Sequence, residues 1–386
     1  MRRFISWIFV VVLVGLASVL TSCSLPQVRA EDRIFLPMSI EFLGSYTLPD
    51  KTFQNTAVGG LSAITYDRQR DLYYVLSDAR ENARFYTLKI TVDRAAKPPT
   101  IEQVEVKNVT IIKDENGQPF AKDTIDPEGI AISPLKSVFI SSEGAVKEGI
   151  PPFVGEFDLK TGQLKRKLPI PEAYIPDAYN LSQARGIQNN RGFESLTLNA
   201  GASTAPPLEP FRLFTAVETP LVQDLELPDS KSTSKNRFLH YLIEQTRSTL
   251  ISEHVYPLDP KSEGTIDRGL TDLLSIDQGG HFLSLERSFG LQGFRTRLYQ
   301  VATGAATDTT LIKSLRGDLK GLQPARKRLL LDLNELGVRL DNLEGMTIGT
   351  RLPDGSRSLI LVSDDNFNSV TQITQFLLFR LRGIKG

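Results

Sequence analysis

The chain has 386 residues, with 45 Lys and Arg against 45 Asp and Glu, and therefore no formal net charge. That balance, without basic clusters, excludes an electrostatic nucleic-acid binder, and 40% hydrophobic with 23% charged residues is a globular composition. One cysteine excludes a fold stapled by internal disulfides.

The chain opens on a targeting segment. Arg2 and Arg3 precede an uncharged apolar run, Ile5 to Leu20, which is short and N-terminal for a membrane span. It ends in Leu20-Thr21-Ser22-Cys23, which resembles the cleavage box of bacterial lipoproteins, where the cysteine becomes the lipidated first residue. The alternative is an ordinary signal peptide cut after Ala30, since Val28-Arg29-Ala30 fits a small-x-small site. On either reading residues 1–30 are a signal segment and residues 31–386 a single domain. The protein is expected to be exported to the periplasm or the outer envelope face. Its membrane contact is expected only through a lipid on Cys23, where several acyl chains anchor stably and one does not.

From Ile40 to Leu48 the chain reads as a strand without a hairpin, and after it a two-part unit recurs. The first parts are Leu61 to Tyr66, Pro127 to Ile132, Phe193 to Leu198, Thr271 to Ile276 and Leu343 to Ile348. Taken from their second residues, they are spaced 66, 66, 78 and 72 residues apart. The second parts follow each time, ending in Asp78, Glu143, Glu218, Glu286 and Asp364. Each pair is rich in β-branched and aromatic residues with turn residues between, as a β-hairpin requires. Room for two further strands follows, as in Arg84 to Ile90 and Ile101 to Ile112, or Arg297 to Thr303 and Thr309 to Leu315. The last unit offers only Gln375 to Leu381, so the strand Ile40 to Leu48 is expected to complete it and close a ring.

Repeating four-stranded units of this length predict an all-β fold, a β-propeller of five blades. A multi-sheet sandwich is the competing architecture. A sixth blade has room in Leu315 to Leu340, although Lys327 to Leu336 reads at least as well as a short helix. The chain is expected to be a monomer.

The hairpins predict where the acids meet. One acid opens a strand and another ends its antiparallel neighbour, so both fall at one sheet edge. Glu128, Glu194, Asp272 and Glu344, with Ser62 in the first blade, should ring one mouth of the central channel. Asp78, Glu143, Glu218, Glu286 and Asp364 should stand behind them. Crowded carboxylates repel and raise one another's pKa values. Arg80, Arg185, Arg191 and Arg287, or a bound cation, would relieve them. An oxygen-only donor set favours Ca²⁺ or Mg²⁺. His240, His254 and His281 lack zinc-site spacing. No Gly-x-Ser-x-Gly elbow, P-loop or dinucleotide fingerprint is present.

Gly60-Leu61-Ser62-Ala63-Ile64, Asp126-Pro127-Glu128-Gly129-Ile130, Gly192-Phe193-Glu194-Ser195-Leu196 and Asn342-Leu343-Glu344-Gly345-Met346, in that order, resemble the phytase-like family of exported bacterial propellers. The family is described by an esterase-like activity of phytase, and the resemblance runs over about residues 40–384. It implies a metal-dependent phosphoric or carboxylic ester hydrolase acting on a small anionic, phosphorylated substrate. Glu128, Glu194 and Glu344 would hold Ca²⁺, with Asp78, Glu143, Glu218, Glu286 and Asp364 as further ligands, and Arg80 and Arg287 would neutralise the substrate. The alternatives are a non-catalytic ligand- or protein-binding propeller and a salt-bridged structural rim.

Overall fold

The computed structural model describes residues 34–49, 51–179, 182–206, 208–226, 233–368 and 370–384. The expected signal segment, with Cys23 and the alternative cut after Ala30, lies outside them. The chain divides into Met1–Leu36 and the compact unit Pro37–Gly386, which contains every strand below.

Strand β1 (Ser39–Thr47) comes first, followed by a small hairpin, β2 (Thr52–Phe53) and β3 (Thr56–Ala57). Blade one is β4 (Leu61–Asp67), β5 (Leu72–Ser77), β6 (Arg84–Asp93) and β7 (Thr100–Ile111). Blade two is β8 (Pro127–Ile132), β9 (Ser137–Ser142), β10 (Phe153–Asp158) and β11 (Leu164–Lys167). Blade three is β12 (Phe193–Leu198), β13 (Phe211–Val217), β14 (Ser234–Ile243) and β15 (Ser248–Leu258). Blade four is β16 (Thr265–Ser275), β17 (His281–Gly290), β18 (Gly293–Ala302) and β19 (Arg326–Asp332). Blade five is β20 (Asn342–Arg351), β21 (Arg357–Asp364) and β22 (Gln375–Arg382), and β1 completes it as the outer strand.

The inner strands β4, β8, β12, β16 and β20 contact one another around the axis, so the ring has five blades. Two expectations fail in blade four. Its outer strand is Arg326–Asp332, not Thr309 to Leu315, and the segment read as a helix is that strand plus one 3-10 turn, Leu333–Leu336. The sequence there gives only weak alternation because an outer strand is half-exposed along its length. No sixth blade forms in this region.

Apolar side chains fill the wedges between blades. Phe85 and Leu76 pack with Ile130, Ile140 and Phe153 between blades one and two, and Phe214 and Phe238 pack with Leu273, Phe282 and Val301 between three and four. Each such side chain contributes roughly 1.5–3 kcal/mol by leaving water. Polar links tie the inner strands at the axis: Ile132 N donates to Thr65 Oγ1 (3.2 Å), and Ser275 N to Thr197 Oγ1 (3.2 Å). In blade three, Arg237 is fully buried between Asp224 and Glu253, at 2.6 Å from each, and Tyr174 donates to Glu253 (2.7 Å).

Candidate metal centre at one mouth of the channel

The acids reach the axis through a repeated backbone irregularity. In every blade the inner strand carries an extra residue against its neighbour at the corresponding place, Ser62, Glu128, Glu194, Thr271 and Glu344, and the register shifts a second time in blades four and five. A bulge locally turns the strand and re-aims the extra side chain. Blades two, three and five thereby bring Glu128, Glu194 and Glu344 together, with carboxylate oxygens within 4.8 Å of one another. In blades one and four the hydroxyls of Ser62 and Thr271 instead donate to the neighbouring blade, to Pro127 O and Leu343 O (3.4 Å each).

A second ring stands where the next strand meets the residue two before the bulge. It holds Asp78, Glu143, Glu218, Arg287 and Asp364, set against Gly60, Asp126, Gly192, Gly269 and Asn342. The glycines clear space for the acids. A Cβ on Gly269 would lie 2.2 Å from Glu218 Oε1, and one on Gly60 2.1 Å from Asp78 Oδ1.

Blade four thus departs from the expected pattern by one residue. The position expected of Glu286 is occupied by Arg287, and Glu286 faces away, accepting from Tyr256 (2.6 Å) and the Asp259 N–H (3.2 Å) and pairing with Lys327. Asp272 likewise lies one past the bulge, where its carboxylate takes the N–H groups of Met346 (2.7 Å) and Leu273 (2.8 Å). Neither lines the acidic cavity. A pattern anchored on acids misses the exchange; the glycine two residues before the bulge, shared by blades one, three and four, is the signal that finds it.

The cavity measures about 440 Å³ and its wall carries eight carboxylates (Asp78, Asp126, Glu128, Glu194, Glu218, Asp267, Glu344, Asp364) against three guanidinium groups (Arg80, Arg191, Arg287). Glu143 stands behind, close to Asp126 and Glu128 on one side and to Glu194 and Glu218 on the other. Arg287 is the cation at the centre: it donates to Glu344 (2.8 Å), Asn342 (2.5 Å) and Glu218 (3.0 Å). Burial works against its charge, but Glu344, Glu218 and Glu194 outweigh it and raise its pKa. Arg80 grips both oxygens of Asp126 (2.8 and 2.5 Å), and Arg191 joins Glu218 (3.4 Å) to Asp267 (2.7 Å). Arg185 lies elsewhere, on Glu172, and none of the three histidines lines the cavity.

Three cations cannot balance this wall. Burial, then the neighbouring carboxylates, push Glu128, Glu143, Glu194 and Asp78 well above the usual carboxyl range. Glu344 rises to about 8 and Asp364 to about 6, again by burial first. Asp126 and Glu218 rise less, because arginines oppose their burial.

These donors fit a hard divalent cation. All are oxygens. Asp78 Oδ1 is buried with no hydrogen-bond partner, and the charges that dominate at Glu128 are carboxylates. The arginines already hold both oxygens of Asp126 and of Glu218. Glu128, Glu194 and the second oxygen of Glu344, whose Oε1 accepts from Arg287 and Asn342, remain to hold a cation, with Asp78 beside them.

Fold and mouth together define a five-bladed propeller with an acid-walled central cavity. The chain belongs to the phytase-like family, described as having an esterase-like activity of phytase, whose model matches residues 56–367. No curated protein matches it. Among solved structures it is similar to the Dos1 propeller, with 9% identity and a TM-score of 0.35, over 84% of this chain and 69% of that one. It is similar to the calcium-binding protein regucalcin from Agrobacterium tumefaciens, with 12% identity and a TM-score of 0.35, over 90% and 96%. A Bombyx mori GH32 β-fructofuranosidase shares 11% identity at a TM-score of 0.38, over 83% and 60%.

Proposed function

We propose that the protein is a metal-dependent ester hydrolase, acting on phosphoric or carboxylic esters at the acidic mouth. The observation that carries the reading is the converging trio Glu128, Glu194 and Glu344 in a wall with far more carboxylates than cations. Ca²⁺ or Mg²⁺ held by this trio would supply charge for the substrate's oxygens and a more acidic bound water. The chain's own residues do the rest. Arg287 fixes Glu344 and Glu218 in place, so its role is to orient the acids and not to meet the substrate. Arg80 and Arg191 are partly exposed at the rim and are the cations an anionic substrate would meet. Asp364, with a carboxyl pushed up to about 6, is suited to exchanging a proton near neutral pH. The family's description supports ester hydrolysis in general, and the donor set supports the metal.

The test is hydrolysis of phytate, p-nitrophenyl phosphate and p-nitrophenyl acetate by the mature protein, with Ca²⁺ or Mg²⁺ and with chelator. Turnover is expected only with cation, and the triple variant Glu128→Gln, Glu194→Gln, Glu344→Gln should lose it. Heat of cation binding without turnover of any substrate would favour the ligand-binding reading, and no heat at all would remove the metal. We also read the protein as exported and lipid-anchored through Cys23; a mature form beginning at Glu31 in mass spectrometry would reject the anchor.

A further inference from the structure

The inner strands run in one direction along the axis, so the acids at their starts have a counterpart cavity at their ends. This second cavity, about 470 Å³, has on its wall Ile64, Ile130, Ile132, Leu196, Met346 and Ile348. Neighbouring inner strands pack closely just past the acids: a Cβ on Gly129 would lie 2.7 Å from Leu196 Cβ, and one on Gly345 2.8 Å from Ala63 Cα.

The charge of this mouth is opposite to that of the first. Arg68, in the turn after β4, and Arg357, at the start of β21, line it. Arg351 stands directly across the ladder from Arg357, a like-charged pair of the kind that destabilises a sheet. Burial, then Arg351 and Arg68, lower the pKa of Arg357. Among the described residues no carboxylate pairs with Arg68, Arg351 or Arg357; the nearby acids are engaged elsewhere, Asp67 by Arg70 and Asp354 by Arg380 and Arg382. The one carboxylate in the wall, Asp277, is turned to His281 Nδ1 (2.6 Å) and to the N–H groups of Gly279 and His281.

From this juxtaposition we infer that the second mouth binds a single alkyl chain bearing an acidic head, the chain between Ile64, Ile130, Ile132 and Met346 and the head between Arg68 and Arg357. A guanidinium fork matches a carboxylate or phosphate head, and the cavity lies within the range of small-molecule sites. The occupant is one inserted molecule and not a membrane surface, because the cavity is of small-molecule size, about 470 Å³. The site shares no residue with the acidic cavity and does not depend on the hydrolase reading.

The test is calorimetric titration of the full chain with monomeric decanoate in chelator, beside decyl phosphate, decanol and acetate. Decanoate and decyl phosphate should bind, with decanol weaker by about tenfold or more, since a charge-assisted hydrogen bond adds about that factor, and acetate weaker by at least as much because it lacks the chain, whose buried CH₂ groups each add to binding. The pair Arg68→Gln, Arg357→Gln should weaken decanoate by a similar factor, while Glu344→Gln should leave it unchanged. If the pair misfolds, Arg68→Gln alone, at an exposed position, serves the same purpose. Undiminished decanoate binding by the arginine variant, acetate binding as well as decanoate, or anionic vesicles displacing the bound decanoate would each overturn the proposal.

Discussion

Replacing Arg287 with Met tests the logic of the acidic mouth. Met keeps an apolar stem of similar reach but removes the cation that Glu344 and Glu218 share. Removing one partner from a buried ion pair costs about 3–5 kcal/mol, because the remaining charges lose their compensation. Unfolding entropy is roughly 2.1 cal/mol/K per residue, and the Pro37–Gly386 unit has 350 residues. The unit's unfolding entropy is therefore about 0.7 kcal/mol/K, and the loss corresponds to a fall in Tm of about 4–7 °C. The sign of its pH dependence is fixed as well. Glu344 has a folded pKa raised to about 8 from the ordinary carboxyl value of 4.5, so its contribution is fully present below about 4.5 and is lost as pH rises through 8. Without Arg287 the folded pKa values of Glu344 and Glu218 rise further and the decline steepens. Calorimetry in chelator should show a larger loss at pH 8, where Glu344 begins to ionise, than at pH 5, where it is protonated. Equal losses at both pH values would mean that Arg287 acts by packing and that the charge argument is wrong.

Three further outcomes follow from the same geometry. In chelator the wild-type protein should lose stability between pH 5 and 8, and excess Ca²⁺ should restore it at pH 8 by binding the folded state alone; a flat thermal-unfolding profile in chelator would contradict the raised carboxyls. Asp272→Asn should leave the calorimetric heat of Ca²⁺ binding unchanged, whereas Glu344→Gln should abolish most of it, because only the bulge position faces the cavity. Arg237→Met should cost about 3–5 kcal/mol in denaturant titration by uncovering Asp224 and Glu253, with no change in cation binding.

Much of the fold is legible in the sequence because each blade repeats one hairpin whose β-branched residues and turns are local signals. The ring closure is legible too, since Gln375 to Leu381 is one strand short of a blade and Ile40 to Leu48 is one strand too many. Blade four resists for two physical reasons. Its outer strand arrives only after the excursion 303–325, so spacing misplaces it. Its acids Asp272 and Glu286 each lie one residue from the repeat's register, and a slip of one residue on a pleated strand exchanges the faces. At the acidic mouth, Glu128, Glu194 and Glu344 are visible as a recurring column. Arg287 is visible as a cation near the acids, but its place in the ring is not, because a lone cation standing where the other blades carry an acid looks like a break in the pattern.

The closure of the ring also sets an order of events in folding. Ser39 pairs with Arg382 and Thr47 with Gln375, so the first strand to be made waits for the last. Contacts this distant along the chain are slow to form, because nearly the whole polypeptide must be gathered before they give anything back. A growing chain that lacks Gln375–Arg382 is an open arc with two unpaired strand edges, the condition in which β-proteins associate with one another. Loss of even these few C-terminal residues therefore threatens blade five and, with it, the Glu344 third of the acidic trio.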